Sequence, residues 1–196
     1  MILVVVGIAS LSSDEATIEN THWVFGEGHD NGQDINVYLG LTHVTGSADE
    51  ATIDYDWESD ECATDECADC ADASQACKVT VIMAFVTEIP AITTKLTRSH
   101  VDSDTNCQKW MGIITTFMSM LSTLVTLSTF ADLCYRNLSD EYNGVKMTYT
   151  WGPGMICVLL ATMVKVIDIV IHCAVPVAHT QTKAPTANTE KGASVL

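Results

Sequence analysis

The sequence predicts an α-helical membrane protein: a bundle of four helices with a small antiparallel β-sheet domain outside the bilayer. Three observations carry this. Long apolar runs fill the back of the chain, the charges are segregated along it, and short alternating stretches rich in Val, Ile, Thr, Tyr and Trp fill an acidic segment near the front. Alternation of this kind suits half-buried strands, whereas unbroken apolar runs of spanning length suit lipid.

The runs come first. Residues 111–131 are 21 consecutive residues without a charge. At the helical rise per residue they extend roughly 30 Å, the thickness of a bilayer core. Residues 151–177 are interrupted only by Lys165, Asp168 and His172. Residues 79–94 contain Glu88 and Pro90, and reach spanning length when Lys78 and Lys95 snorkel at the two ends. None of the runs has the broad polar face of a water-soluble amphipathic helix. The opening run, MILVVVGIASLSS, is too short to span. It reads as a first transmembrane helix with a truncated start, or as a signal-like segment without a basic n-region. Both readings put Asp14 onward across the membrane.

Charge sets the sides. Residues 14–77 hold 17 of the 25 acidic residues and none of the nine Lys and Arg. Lys95, Arg98 and Lys109 cluster between the second and third runs, and Lys183 and Lys191 follow the last. Positive residues near membrane ends mark the cytoplasmic side. The predicted order is residues 1–13, first helix or signal-like segment; 14–77, acidic extracellular β-rich loop with a cysteine cluster; 78–96, second helix; 97–109, cytoplasmic loop; 110–133, third helix; 134–150, second extracellular loop; 151–177, fourth helix; 178–196, disordered cytoplasmic tail. The location is the plasma membrane or another membrane of the secretory pathway. Asn137-Leu138-Ser139 is an N-glycosylation acceptor on the side that the charges place outside.

Cys62, Cys67, Cys70 and Cys77 lie in DECATDECADCADASQAC, and the first three match a ferredoxin-like C-x4-C-x2-C run. Iron–sulfur and zinc readings need a fourth ligand and a compact fold around the metal. An extracellular loop is oxidising, so the residues predict two disulfides among the four, in one of three connectivities, with Cys134 as a competing partner.

Within residues 14–77, THWVFG, INVYLGLTHVTG and ATIDYDWESDEC read as strands, punctuated at Asn31-Gly32 and at Gly46. Trp23 follows the first apolar run, Gly40-Leu41 follows at a further interval, the cysteines precede the second helix, and YTWGPGM opens the fourth. In this layout the chain resembles the claudin / peripheral-myelin-protein superfamily over nearly its whole length. The resemblance implies four transmembrane helices, a first outer loop folded as a small sheet, and a role in adhesion, barrier formation or membrane organisation. It also implies an acidic outer surface that attracts cations. Thr42 stands where the motif has Trp and Thr45 where it has the first Cys. The family's loop disulfide is therefore not carried over.

Other features have plainer readings. Gly112, Thr116, Ser119, Thr123 and Thr126 form a stripe of small residues that suits close helix packing in lipid. Glu88 and Lys165 predict an intramembrane ion pair, and Lys165 with Asp168 is a local alternative. The run DYDWESDE offers carboxylates for a hard cation but has Ser59 where an EF-hand needs Gly, so it reads as a solvated acidic surface. Cys173 near the end of the fourth helix is a candidate for palmitoylation, and equally a buried apolar Cys. The tail ends ASVL, so Ser194, Val195 and Leu196 have the form of a PDZ ligand.

His22, His29, His43 and His100 have no ligand spacing, and no Ser-His-Asp set, phosphate loop or H-E-x-x-H is present in the sequence, so no enzyme and no cofactor are predicted. Partners are the lipid bilayer, other membrane proteins or a second copy, and a PDZ scaffold; the acidic balance predicts no nucleic acid. Three functions compete: a claudin-like adhesion or membrane-organising protein, an accessory subunit of a channel or transporter, and a membrane redox protein using the cysteine cluster.

Overall fold

The computed structural model describes residues 2–30, 33–48, 51–59, 65–98, 106–142 and 145–174. The apolar opening forms a short helix, α1 (Ile2–Ala9). It ends where the Ser10 hydroxyl donates back to the Gly7 carbonyl at 2.6 Å. A second helix follows, α2 (Glu15–Thr21), inside the segment read from sequence as β-rich. Asp14 caps it, accepting from the Thr17 amide at 3.0 Å and the Thr17 hydroxyl at 2.7 Å. Such a cap typically contributes about 1 kcal/mol. Asp14, with Glu15 in the first turn and Ile18 as the apolar anchor, is the signal that sequence reading passed over.

The front loop then supplies four strands: β1 (Val24–Asp30), β2 (Gln33–Leu39), β3 (His43–Ala48) and β4 (Ala51–Asp56). Two more, β5 (Glu141–Tyr142) and β6 (Val145–Trp151), come from the segment between the third and fourth runs. All six form one antiparallel sheet in the order β4-β3-β2-β1-β6-β5. β1 lies inside it, with Val24 paired to Leu39 on one side and Trp151 on the other. Gly46, expected at a turn, sits within β3 between Val37 and Ile53. A Cβ there would strike the Asn36 carbonyl, so glycine serves close strand approach rather than a reversal.

Three long helices carry the apolar runs. The second run is part of α3 (Asp65–Arg98), which starts well before residue 78 and takes in most of the cysteine cluster. The third is α4 (Asn106–Thr129), prolonged by a π-helical turn, Phe130–Cys134, and a 3-10 turn, Tyr135–Asn137. The fourth is α5 (Pro153–Ala174). Trp151 belongs to β6 rather than to this helix, and Pro153 takes the first helical position, where its missing N–H costs nothing. The spans Cys67–Thr97, Lys109–Asn137 and Pro153–Ala174 are long and apolar enough to cross a membrane.

Side chains on these helices are distributed inside out. Ile82 and Ile89 on α3, Phe117 on α4, and Met163, Ile167 and Val170 on α5 face outward. Thr116, Ser119, Thr123, Thr126 and Thr162 are buried between helices. Lipid as the surrounding solvent accounts for this arrangement; water does not. α4 packs on both α3 and α5, and α1 lies against α3 and α5. The apolar core sits instead at the junction of sheet and helices, where Trp23, Leu41, Trp57, Phe130 and Val158 meet. Trp23 is fully buried, edge-on to Phe130 with ring centroids 5.0 Å apart. That geometry adds about 1 kcal/mol to the burial of the two rings.

Candidate functional site

Two constructions stand out: a covalently tied corner where the sheet domain meets the helices, and a buried charge network between α3, α4 and α5. At the corner, Cys70 on the early turns of α3 is disulfide-bonded to Cys134 in the π-helical turn, with Cα atoms 4.4 Å apart. The same π-helical turn carries Phe130 against Trp23. Cys67 is also disulfide-bonded. Cys77 is not: it is a buried free thiol whose Sγ donates to the Thr126 carbonyl at 3.5 Å.

This corrects the cysteine reading. The four residues do not pair among themselves as a set. Helix geometry is the reason: Cys77 lies about 10 Å along α3 from Cys70 and about 15 Å from Cys67. A disulfide requires Cα atoms within about 7 Å. Cys134, the competitor named from sequence, takes Cys70. Cys62 lies outside the described residues. With Cys67 and Cys70 both in disulfides, the ferredoxin-like spacing presents no thiolate set.

Asn137 follows directly. Its amide nitrogen donates to Asp69 Oδ2 at 2.8 Å and to the Leu133 carbonyl at 3.1 Å. Asp69 adjoins Cys70, and Leu133 adjoins Cys134. Ser139, the third residue of the acceptor sequence, donates to the Glu141 carbonyl at 2.9 Å and accepts from the Glu141 amide at 3.3 Å.

The charge network lies deeper. Lys165 Nζ is 3.0 Å from Glu88 Oε1, with only 7% and 11% of the two side chains exposed. Ser119 completes the group, its hydroxyl 2.6 Å from Lys165 Nζ and 3.0 Å from Glu88 Oε1. One turn along α5, Asp168 pairs with Lys95 at 2.7 Å rather than locally with Lys165. The Thr116 hydroxyl donates to Asp168 Oδ2 at 3.3 Å. Two ionic links of opposite polarity therefore join α3 to α5 across α4. They border a cleft of about 130 Å³ whose wall also includes Leu3 and Val164.

Above the ion pairs the contacts become uncharged. Thr162 donates to the Thr123 hydroxyl at 2.9 Å, and the Thr80 and Thr126 hydroxyls lie 2.7 Å apart. The small-residue stripe on α4 is thus the polar seam of the bundle. In lipid such interhelical bonds contribute about 0.6 kcal/mol each, up to about 2.

On the sheet domain the acidic residues 54, 56 and 58 are engaged locally. Asp54 Oδ1 is 2.6 Å from His43 Nε2, Asp56 Oδ1 accepts from the Glu58 amide at 2.9 Å, and Glu58 holds Lys78 at 2.6 Å. Among the described residues no three Asp, Glu, His or Cys side chains converge on a point that could hold a metal ion. His22 packs edge-on to Tyr38, and its Nδ1 faces the Glu19 carbonyl at 2.8 Å. Burial pushes its imidazole below the ordinary value, partly offset by the Glu19 and Ile18 carbonyls.

Cys173 is exposed near the end of α5. Ser194, Val195 and Leu196 lie outside the described residues. Sequence reasoning missed the Lys95–Asp168 pair and the Asn137–Asp69 contact, because neither partner signals the other until the helices are in register. The chain matches no protein-family model and no curated protein sequence.

Proposed function

We propose that the chain is a claudin-like, multi-pass protein of the plasma membrane or another secretory-pathway membrane. In this reading it organises neighbouring membrane proteins, or a second copy of itself, through its sheet domain. One observation carries the proposal. The residues on which the resemblance rests come together at a single place, the seat of the sheet on the helices. Trp23 is fully buried there, the Gly40 carbonyl accepts from the Trp57 indole at 3.3 Å, and the Leu41 amide donates to the Ser10 carbonyl at 3.1 Å. The sheet is thereby fixed to the bundle rather than tethered by a flexible loop, as a domain presenting a constant face to a partner requires.

The sides follow from charge. The sheet domain, with its acidic surface, faces out, and the Lys95 end of the bundle faces the cytoplasm. The acidic face raises the local concentration of cations beside the membrane. The test is expression in cells that lack junctions, with aggregation scored against cells carrying Trp23→Ala. Aggregation that depends on the sheet domain is the expected result. No aggregation, together with co-purification of a channel or transporter in fixed ratio, would replace this reading with that of an accessory subunit.

A further inference from the structure

We propose that Asn137 is a conditional glycan acceptor, open to modification only until the Cys70–Cys134 disulfide closes. The inference rests on the outward orientation of the sheet domain proposed above. It goes beyond the presence of an acceptor sequence, because the acceptor has been built into the fold.

Transfer of an N-glycan proceeds in one substitution. The anomeric carbon leaves its polyprenyl-pyrophosphate carrier, the pyrophosphate departs with the bonding electron pair, a C–N bond forms to Asn137 Nδ2, and Nδ2 gives up one proton. In the closed corner both protons of that nitrogen are committed, one to Asp69 and one to the Leu133 carbonyl. Both partners are acceptors, so the nitrogen and not the amide oxygen must face them. Asn137 is held in a 3-10 turn three residues after Cys134, and the Ser139 hydroxyl is tied to Glu141 at both donor and acceptor. The Asn137 side chain is exposed, so what an enzyme meets in the closed corner is not a buried acceptor but an amide with both protons engaged and a hydroxyl two residues on that is already bonded. Before closure nothing holds α3 against this segment covalently, and the Asp69 contact alone is an exposed hydrogen bond. The disulfide turns that contact into a lasting one.

The experiment is translation into membrane vesicles that carry the glycan transferase, with occupancy read as the slower gel band. Asn137→Gln marks the bare position. Disulfide closure takes seconds or longer, so the two events compete, and the wild type should be partly occupied. Cys134→Ala, or wild type made under reductant, should raise occupancy about twofold. Asp69→Ala should raise it less, because the disulfide remains. Val44→Ala weakens the same core while leaving the disulfide intact, and should leave occupancy as in wild type. Gln33→Ser creates an acceptor at Asn31 on the same predicted side and should be glycosylated whatever the state of the disulfide.

Equal occupancy with and without the disulfide overturns the proposal, and so does an equal rise in Val44→Ala. A glycan at Asn31 with Asn137 bare under every condition overturns it while leaving the orientation standing. Bare chains at both positions overturn the orientation and the proposal together.

Discussion

Lys165 and Glu88 pair at 3.0 Å where only 7% and 11% of the two side chains are exposed. A buried pair of this kind contributes little net stability, yet removing one member strands the other. Glu88→Ala or Lys165→Ala alone should therefore cost about 3–5 kcal/mol. The double replacement by leucine and methionine should recover most of that loss. Thermal unfolding in detergent measures both. If the double replacement is as damaging as the singles, the pair has a use beyond holding helices together. His22 gives a pH dependence with a defined sign. Its folded value lies below the ordinary one, so the fold favours the neutral ring. The stability is fully present above the ordinary value, about 6.5, and is lost as the pH falls through the lowered folded value. Melting of wild type between pH 7.5 and pH 5.5 should shift down, and His22→Gln should reduce that shift. An unchanged shift would place the pH sensitivity elsewhere.

α3 shows where sequence reading succeeds and where it stops. Its apolar half was legible because lipid demands an unbroken run. Its first half was not, because acids and cysteines at close spacing look like a loop until the helix is continued upstream. Once Cys67, Cys70 and Cys77 are placed on a helix, the rise per residue decides which can pair. The strands of the front loop were legible from alternation. β5 was hidden by shortness, and β6 by Trp151-Gly152-Pro153 at its end, which reads equally as a helix entrance. The seam of α4 was legible as small residues and the Glu88–Lys165 pair as two charges in apolar runs, but the Lys95–Asp168 pair was not, since that pairing depends on helix register. These assignments predict a labelling pattern. In unreduced protein, Cys70 and Cys134 should resist alkylation even after denaturation. Cys77 should resist it only while folded, and Cys173 should react readily. Alkylation of Cys70 after denaturation without reductant would contradict the bond.

At the scale of the whole molecule, a sheet domain rests on three apolar helices through one aromatic junction. Gly154 is a tight point of that junction: a Cβ there would meet the Thr21 carbonyl and lie 2.8 Å from Trp23 Cδ1. Gly154→Val should therefore loosen the sheet from the bundle and raise protease sensitivity of the β strands, while the three helices remain inserted. Limited proteolysis in vesicles measures this, and unaltered cleavage would show that the junction tolerates the change.

The pairing of β1 with both β2 and β6 also has a consequence for synthesis. β2 is made within seconds of β1, but β6 emerges only after α3 and α4 have been produced. Contacts between segments so distant in the chain form late, because the closure entropy must be met before the pairing stabilises anything. Until then one edge of β1 is an unsatisfied ladder of amides and carbonyls, open to strands from other nascent chains. Emergence of β6, rather than insertion of the first helices, is the moment at which that exposure ends. A chain stopped before Val145 should accordingly aggregate through its sheet, even with α3 and α4 correctly placed in the membrane.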